Sequence, residues 1–202
     1  MKLYYAGPSP FAHKVLVAAH ELGVADQVSV VDVVVSPVAQ NETISAANPL
    51  AKIPTLVLDD GRALFDSRVI VDYLDSLTDR SLTPAKGPAR WTALTEQAQA
   101  DGVADACLLA RYEAALRPEP LRWAEWQAGQ MGKVRRGLDA FEGSDRRTGD
   151  DLTIGDIALA CALRYLEYRF PLEDWRATRP MIAGFYDKIR QRAAWVAAEA
   201  NP

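Results

Sequence analysis

Apolar and polar positions follow two different rhythms along the chain, and one gives way to the other near residue 80. Residues 2–6 and 28–35 are short apolar runs, the second rich in β-branched side chains, and both read as strands. Between them, residues 10–22 place Phe11, Val15, Ala18, Ala19 and Leu22 at helical spacing. Residues 55–58 and 62–64 predict two further strands. They are joined through Asp59-Asp60-Gly61, a hairpin signal because glycine tolerates the positive φ of such turns. Residues 67–77 return to the helical period, with Val69, Ile70, Tyr73, Leu74 and Leu77 on one face. The predicted order is β-α-β, an irregular stretch, then β-β-α.

Beyond this point the strand rhythm disappears. Residues 78–88 hold Asp79, Ser81, Thr83, Pro84, Gly87 and Pro88 without apolar periodicity and read as a linker. The sequence therefore predicts an α/β first domain over 1–78, a linker over 79–88 and an all-α second domain over 89–202. Helices are expected at 89–116, 119–142, 154–169 and 179–198, with a polar break at 143–151. Thr153 and Asp156 have the spacing of a capping box, a structural role. Ile154, Ile157, Ala158, Cys161 and Tyr165 after them keep one apolar face, which places that helix at the domain's centre.

Composition narrows the classes. Hydrophobic residues make up 49% of the 202, and the net charge is −4 with no basic run, so a nucleic-acid partner is not expected. Cys107 and Cys161 are far apart and form neither a disulfide framework, a redox pair nor a zinc site; they read as buried small hydrophobes in a reducing, cytoplasmic setting. The first residues are too soon interrupted by Gly7 and Pro8 for a signal peptide, and no apolar run reaches membrane-span length. No membrane partner and no metal are expected.

Three stretches could carry chemistry. Ser9-Pro10-Phe11 opens the first helix; Ser9 is a good N-cap, and its hydroxyl and the neighbouring N–H groups could equally face an anion. Asn48-Pro49-Leu50-Ala51-Lys52-Ile53-Pro54 is either an ordinary loop with a solvated Lys52 or, with a cis Pro54, a segment whose Ile53 backbone pairs with an extended peptide. Asp66-Ser67 sits at another strand-to-helix junction: a cap, or a dock for a ligand's carboxylate on Ser67 and its ammonium on Asp66.

Taken together and in this order, the three stretches resemble the thioredoxin-like domain of the glutathione S-transferases, and the helical remainder with its 153–156 capping box resembles their C-terminal domain. The nearest resemblance is to bacterial members with Ser-Pro-Phe at the active site. The resemblance implies an enzyme that activates the thiol of glutathione, its co-substrate, for attack on a small hydrophobic electrophile, with a detoxifying role. Ser9 would donate to the sulfur, with Phe11 beside it. Lys52 would meet the glycyl carboxylate, Ile53 and Pro54 the cysteinyl unit, and Asp66 and Ser67 the γ-glutamyl end. Asp105, Leu108 and Tyr112 would border the electrophile. It also implies a homodimer. Tyr5 is the rival for thiol activation, and His13 stands where similar sequences often have Arg, read here as a surface or interface residue. A non-catalytic ligand carrier or regulatory partner of the same fold is the alternative function.

Overall fold

A computed structural model describes residues 1–144 and 146–200, and its packing separates into two units, Met1–Arg90 with the stretch from Arg190 onward, and Trp91–Ile189. The expected polar break at 143–151 includes Asp145, and the expected second domain ends at Asn201 and Pro202; these three lie outside the described residues.

The first unit is built on a four-stranded mixed sheet in the order β2-β1-β3-β4, with β1 at Lys2–Tyr5, β2 at Ser29–Asp32, β3 at Thr55–Val57 and β4 at Ala63–Leu64. β1 pairs parallel with β2 and antiparallel with β3, which pairs antiparallel with β4. Helix α1 (Pro10–Glu21) and helix α3 (Ser67–Asp75) pack on each other and on the sheet, burying Val15, Ala18, Ile70 and Leu74 against Leu3 and Leu56. The β-branched run at 28–35 yields a shorter strand than its composition suggests. Its partner β1 ends at Tyr5, whose carbonyl takes the last pairing bond from Val33 N–H at 2.9 Å. The stretch expected to be irregular contains a short helix, α2 (Glu42–Ala47), started by Asn41, whose side chain accepts from Ile44 N–H at 3.2 Å.

The second unit is helical: α4 (Gly87–Ala115, from Trp91 on), α5 (Ala124–Glu142), α6 (Ile154–Arg169), α7 (Trp175–Thr178) and α8 (Pro180–Ile189). α6 is buried along most of its length. The capping interaction at its start is present: Thr153 donates to Asp156 Oδ2 from its backbone N–H at 3.0 Å and from its hydroxyl at 2.9 Å. Two expected helices are corrected. The one at 119–142 begins only at Ala124, because Pro118 precedes and Pro120 lies within a single 3₁₀ turn, Glu119–Leu121, and Glu113 takes the N–H of Trp123 at 2.7 Å. The one at 179–198 is two helices, α8 and α9 (Ala193–Ala200), broken at 190–192, where Arg192 turns to bind Glu21 of α1 at 2.6 Å.

That bond, and the packing of α9 along α1, group the last helix with the sheet. Trp195 is wholly buried and meets the His13 ring edge-on at a centroid distance of 4.9 Å. His13 is thus a core residue of α1, not the surface residue its sequence context suggests, because α9 covers it.

Candidate functional site

Sheet topology brings the three candidate stretches together. Tyr4 pairs with Thr55, and Leu56 with Leu64, in antiparallel registers. The C-terminal ends of β1 and β4 and the start of β3 therefore share one end of the sheet. The segments that leave or enter there are residues 6–9, 48–54 and 65–67.

Ser9 caps α1. Its Oγ accepts from Ala12 N–H at 3.2 Å, and its own N–H is held by Ala6 C=O at 2.8 Å. The hydroxyl proton has no acceptor among the described residues, and Ser9 and Phe11 are both half-buried. A helix start supplies the partial positive charge expected of its unpaired amides. Tyr5, the alternative activator, is wholly buried within the sheet.

The 48–54 segment is organised by Asn48, a role the sequence reading did not assign. Buried Asn48 donates from Nδ2 to Lys52 C=O and to Thr55 Oγ1, both at 3.0 Å, while its Oδ1 accepts from Leu50 N–H at 3.0 Å. Thr55 adds a second bond to Lys52 C=O at 2.8 Å. With its turn fastened from within, the loop presents outward what it does not use. The Lys52 side chain is exposed and has no partner, and the backbone of Ile53 makes no hydrogen bond among the described residues. The Ile53–Pro54 peptide is cis, and Pro54 is buried. An Asn directly before Pro, ahead of a β-branched strand, is the signal that could have marked this hub.

Asp66 caps α3, with Oδ1 accepting from Arg68 N–H at 2.9 Å, and it is exposed. Ser67 follows at the first helical position; neither its hydroxyl nor its N–H has a partner among the described residues. One sheet end thus carries a hydroxyl donor at a helix start, an ammonium, an unpaired peptide edge, and a carboxylate beside a second hydroxyl at a second helix start. This set can receive an extended peptide on the unpaired edge, anionic groups at the helix starts and the ammonium, and a cation at the carboxylate. The surface recess lined by Met1, Leu58, Arg62 and Tyr73 lies at the opposite sheet end and shares none of these groups.

Asp105, Leu108 and Tyr112 belong to the helical unit, on α4; Asp105 is exposed and the other two half-buried. Burial raises the Tyr112 phenol above its ordinary range. Among the described residues no group of three or more His, Cys, Asp or Glu side chains could hold a metal ion, and no helix is long and apolar enough to cross a membrane.

Comparison with known proteins meets this geometry. Residues 8–77 match the model of the glutathione S-transferase N-terminal domain and residues 124–188 that of the C-terminal domain. A glutathione transferase family member from Pseudomonas fluorescens Pf-5, solved with bound glutathione, is 42% identical with a TM-score of 0.94, covering 98% of this chain and 97% of its own. The same family member was also solved with S-(propanoic acid)-glutathione, at 41% identity and a TM-score of 0.90, covering 98% of each chain. A glutathione S-transferase from Methylobacillus flagellatus KT with glutathione bound is 36% identical, with a TM-score of 0.86 and 98% coverage of each chain. An uncharacterized GST-like protein of Escherichia coli K12, YibF, is 28% identical over 98% of both chains. With the mixed sheet, its helices and the large helical C-terminal part in common, the chain belongs to the glutathione S-transferase family.

Proposed function

We propose that this protein is a glutathione transferase that binds glutathione at the end of its sheet and activates the thiol through Ser9. The observation that carries the reading is a set of polar groups with hydrogen-bonding capacity left unused among the described residues, collected at one sheet end from three separated segments. In this reading Lys52 meets the glycyl carboxylate, the Ile53 backbone beside Pro54 pairs with the cysteinyl unit, and Asp66 and Ser67 take the γ-glutamyl ammonium and carboxylate. Relatives that bind glutathione support the ligand.

The energetic demand is modest. A thiol with pKa near 8.5 is mostly protonated at neutral pH, and only the thiolate attacks efficiently. Lowering that pKa by one or two units takes about 1.4–2.8 kcal/mol. One hydroxyl hydrogen bond to a charged acceptor contributes about 1.5–3 kcal/mol, and the α1 start adds up to about 1 kcal/mol. The Ala12 N–H fixes the Ser9 oxygen, which leaves its proton for the sulfur. The thiolate then forms a C–S bond to the electrophile as a leaving group departs, and proximity supplies the remaining acceleration. A small hydrophobic electrophile such as 1-chloro-2,4-dinitrobenzene, which would lose chloride, is the expected substrate type, and the helical unit with Leu108 and Tyr112 is the expected source of its contacts.

The test is retention on immobilised glutathione followed by an absorbance assay with that electrophile. Retention with turnover is expected. Retention without turnover would identify a carrier of the same fold, and no retention would remove glutathione from the account.

A further inference from the structure

Arginines of the helical unit fall into two kinds. Arg135 and Arg179, for example, hold Glu173 and Asp139 at 2.6 Å. Arg111 on α4 and Arg169 on α6 are half-buried, yet among the described residues neither has a carboxylate partner. The Arg169 guanidinium lies over the rings of Tyr168 at 4.4 Å and Tyr165 at 5.9 Å, and its Nε is buried without a hydrogen-bond partner.

These groups converge because α4 and α6 run side by side in the same direction. Gly155, at the start of α6, abuts Ala93 and Glu96 of α4. Toward the C-terminal ends of both helices, the charges of Arg111 and Arg169 both act on Tyr112 of α4 and on Tyr165 of α6. Burial pushes the Tyr165 phenol up to about 12 and raises that of Tyr112, so both keep their protons at neutral pH and remain hydrogen-bond donors. Leu108 lies one turn before Arg111 and Tyr112 on the same helix face and is half-buried. The cluster thus combines two positive charges and two phenolic donors beside an apolar surface. Partly burying a guanidinium without a counter-ion is unfavourable, and an anion that pairs with it offsets the cost through charge-assisted hydrogen bonds.

We propose that Arg111, Tyr112, Tyr165 and Arg169 form a carboxylate-binding site for a small apolar organic acid. As a substrate subsite it rests on the glutathione-transferase reading and sets the electrophile's class as one carrying a carboxylate; as an anion site it stands on these four residues alone. The planar guanidinium favours the matching geometry of a carboxylate, and the rings favour a carbon body over a bare inorganic anion.

Calorimetric titration of the full-length protein with 4-nitrobenzoate and with its neutral analogue 4-nitrobenzamide tests the site. The acid is expected to bind tighter than the amide by about tenfold or more. Arg111→Gln and Arg169→Gln should each reduce that preference to about threefold or less, while Arg169→Lys retains part of it, with circular dichroism confirming that each variant is folded. Equal affinity for the two probes, no binding of the acid, a preference that survives both Gln substitutions, or displacement of the acid by equimolar inorganic phosphate would each overturn the proposal. Retention of the same preparations on immobilised glutathione reports separately on the transferase reading. A protein that keeps the acid preference but ignores glutathione upholds the anion site and removes its role as a substrate subsite.

Discussion

Ser9 is placed to perform two tasks with one hydroxyl, since its oxygen receives the Ala12 amide while its proton is left over. Replacing it separates them. Ser9→Ala should lower kcat/KM about tenfold or more while glutathione affinity changes little, because the hydrogen bond matters most to the thiolate. It should also cost about 1 kcal/mol of stability for the lost cap. A hydroxyl that stabilises the anion holds the bound thiol's pKa down, so its removal should move the pH–rate midpoint upward. Stopped-flow rates across pH 5–9 check this. If Tyr5→Phe raises that midpoint and Ser9→Ala does not, Tyr5 is the activator. The capping roles of Ser9 and Asp66 were legible in the sequence because a cap closes over two or three residues, and residue type at a helix start decides it. The Asn48 hub was half legible: the Asn-Pro pair announced a turn, but its bond to Thr55 spans seven residues and depends on how β3 begins. The pairing of His13 with Trp195 carried no local signal at all, since α9 must fold back onto α1 before the two rings meet.

Elements followed the same division between local and distant causes. Helices α1, α3 and α6 were read from periodicity, and the Asp59-Asp60-Gly61 turn between β3 and β4 from its glycine, whose φ is +86°. α2 was missed because six residues span less than two turns and cannot display a period. The break before α9 was missed because its residues remain helix-compatible; packing against α1 and the Arg192–Glu21 pair set it. α9 therefore supports a sheet that lies far away in sequence. Trp195→Ala should destabilise the protein by about 3–5 kcal/mol, the range for removing a buried aromatic, and should weaken glutathione retention by loosening α1. Urea unfolding and retention of the same variant check both effects; a loss below about 1 kcal/mol would mean that α9 is only loosely applied. Within the helical unit, Gly155 makes the complementary case. A Cβ there would stand 2.6 Å from Glu96 Cβ and 3.0 Å from Ala93 C=O. Gly155→Ala should cost about 1–3 kcal/mol through overpacking, although alanine favours helices by about 1 kcal/mol. Stabilisation would show that α4 and α6 can separate without penalty.

At the scale of the whole molecule, stability against alkali follows from protons that the fold retains. Burial, with a smaller contribution from the charge of Glu173, pushes the Cys107 thiol from 9.0 up to about 12. Burial likewise moves the Tyr165 phenol from 10.0 to about 12. In both cases the folded state holds its proton where the unfolded chain has lost it. Their contribution is therefore complete below the unfolded values and declines as pH rises through the window, by about 1.4 kcal/mol per pH unit for each group. The Cys107 contribution declines from pH 9 upward, and that of Tyr165 from pH 10. Cys107→Ala removes the first group and leaves a cavity whose cost does not depend on pH. Urea midpoints at pH 8, 9 and 10 should accordingly show the wild type losing about 1 kcal/mol more than the variant over the last unit, on top of any loss the two share. The same enclosure makes Cys107 slow to react with a thiol reagent in the folded protein, because the thiolate is the reactive form. Parallel losses in wild type and variant, or rapid modification of Cys107 at pH 8, would show that the α4 core admits solvent and that the fold does not retain the proton.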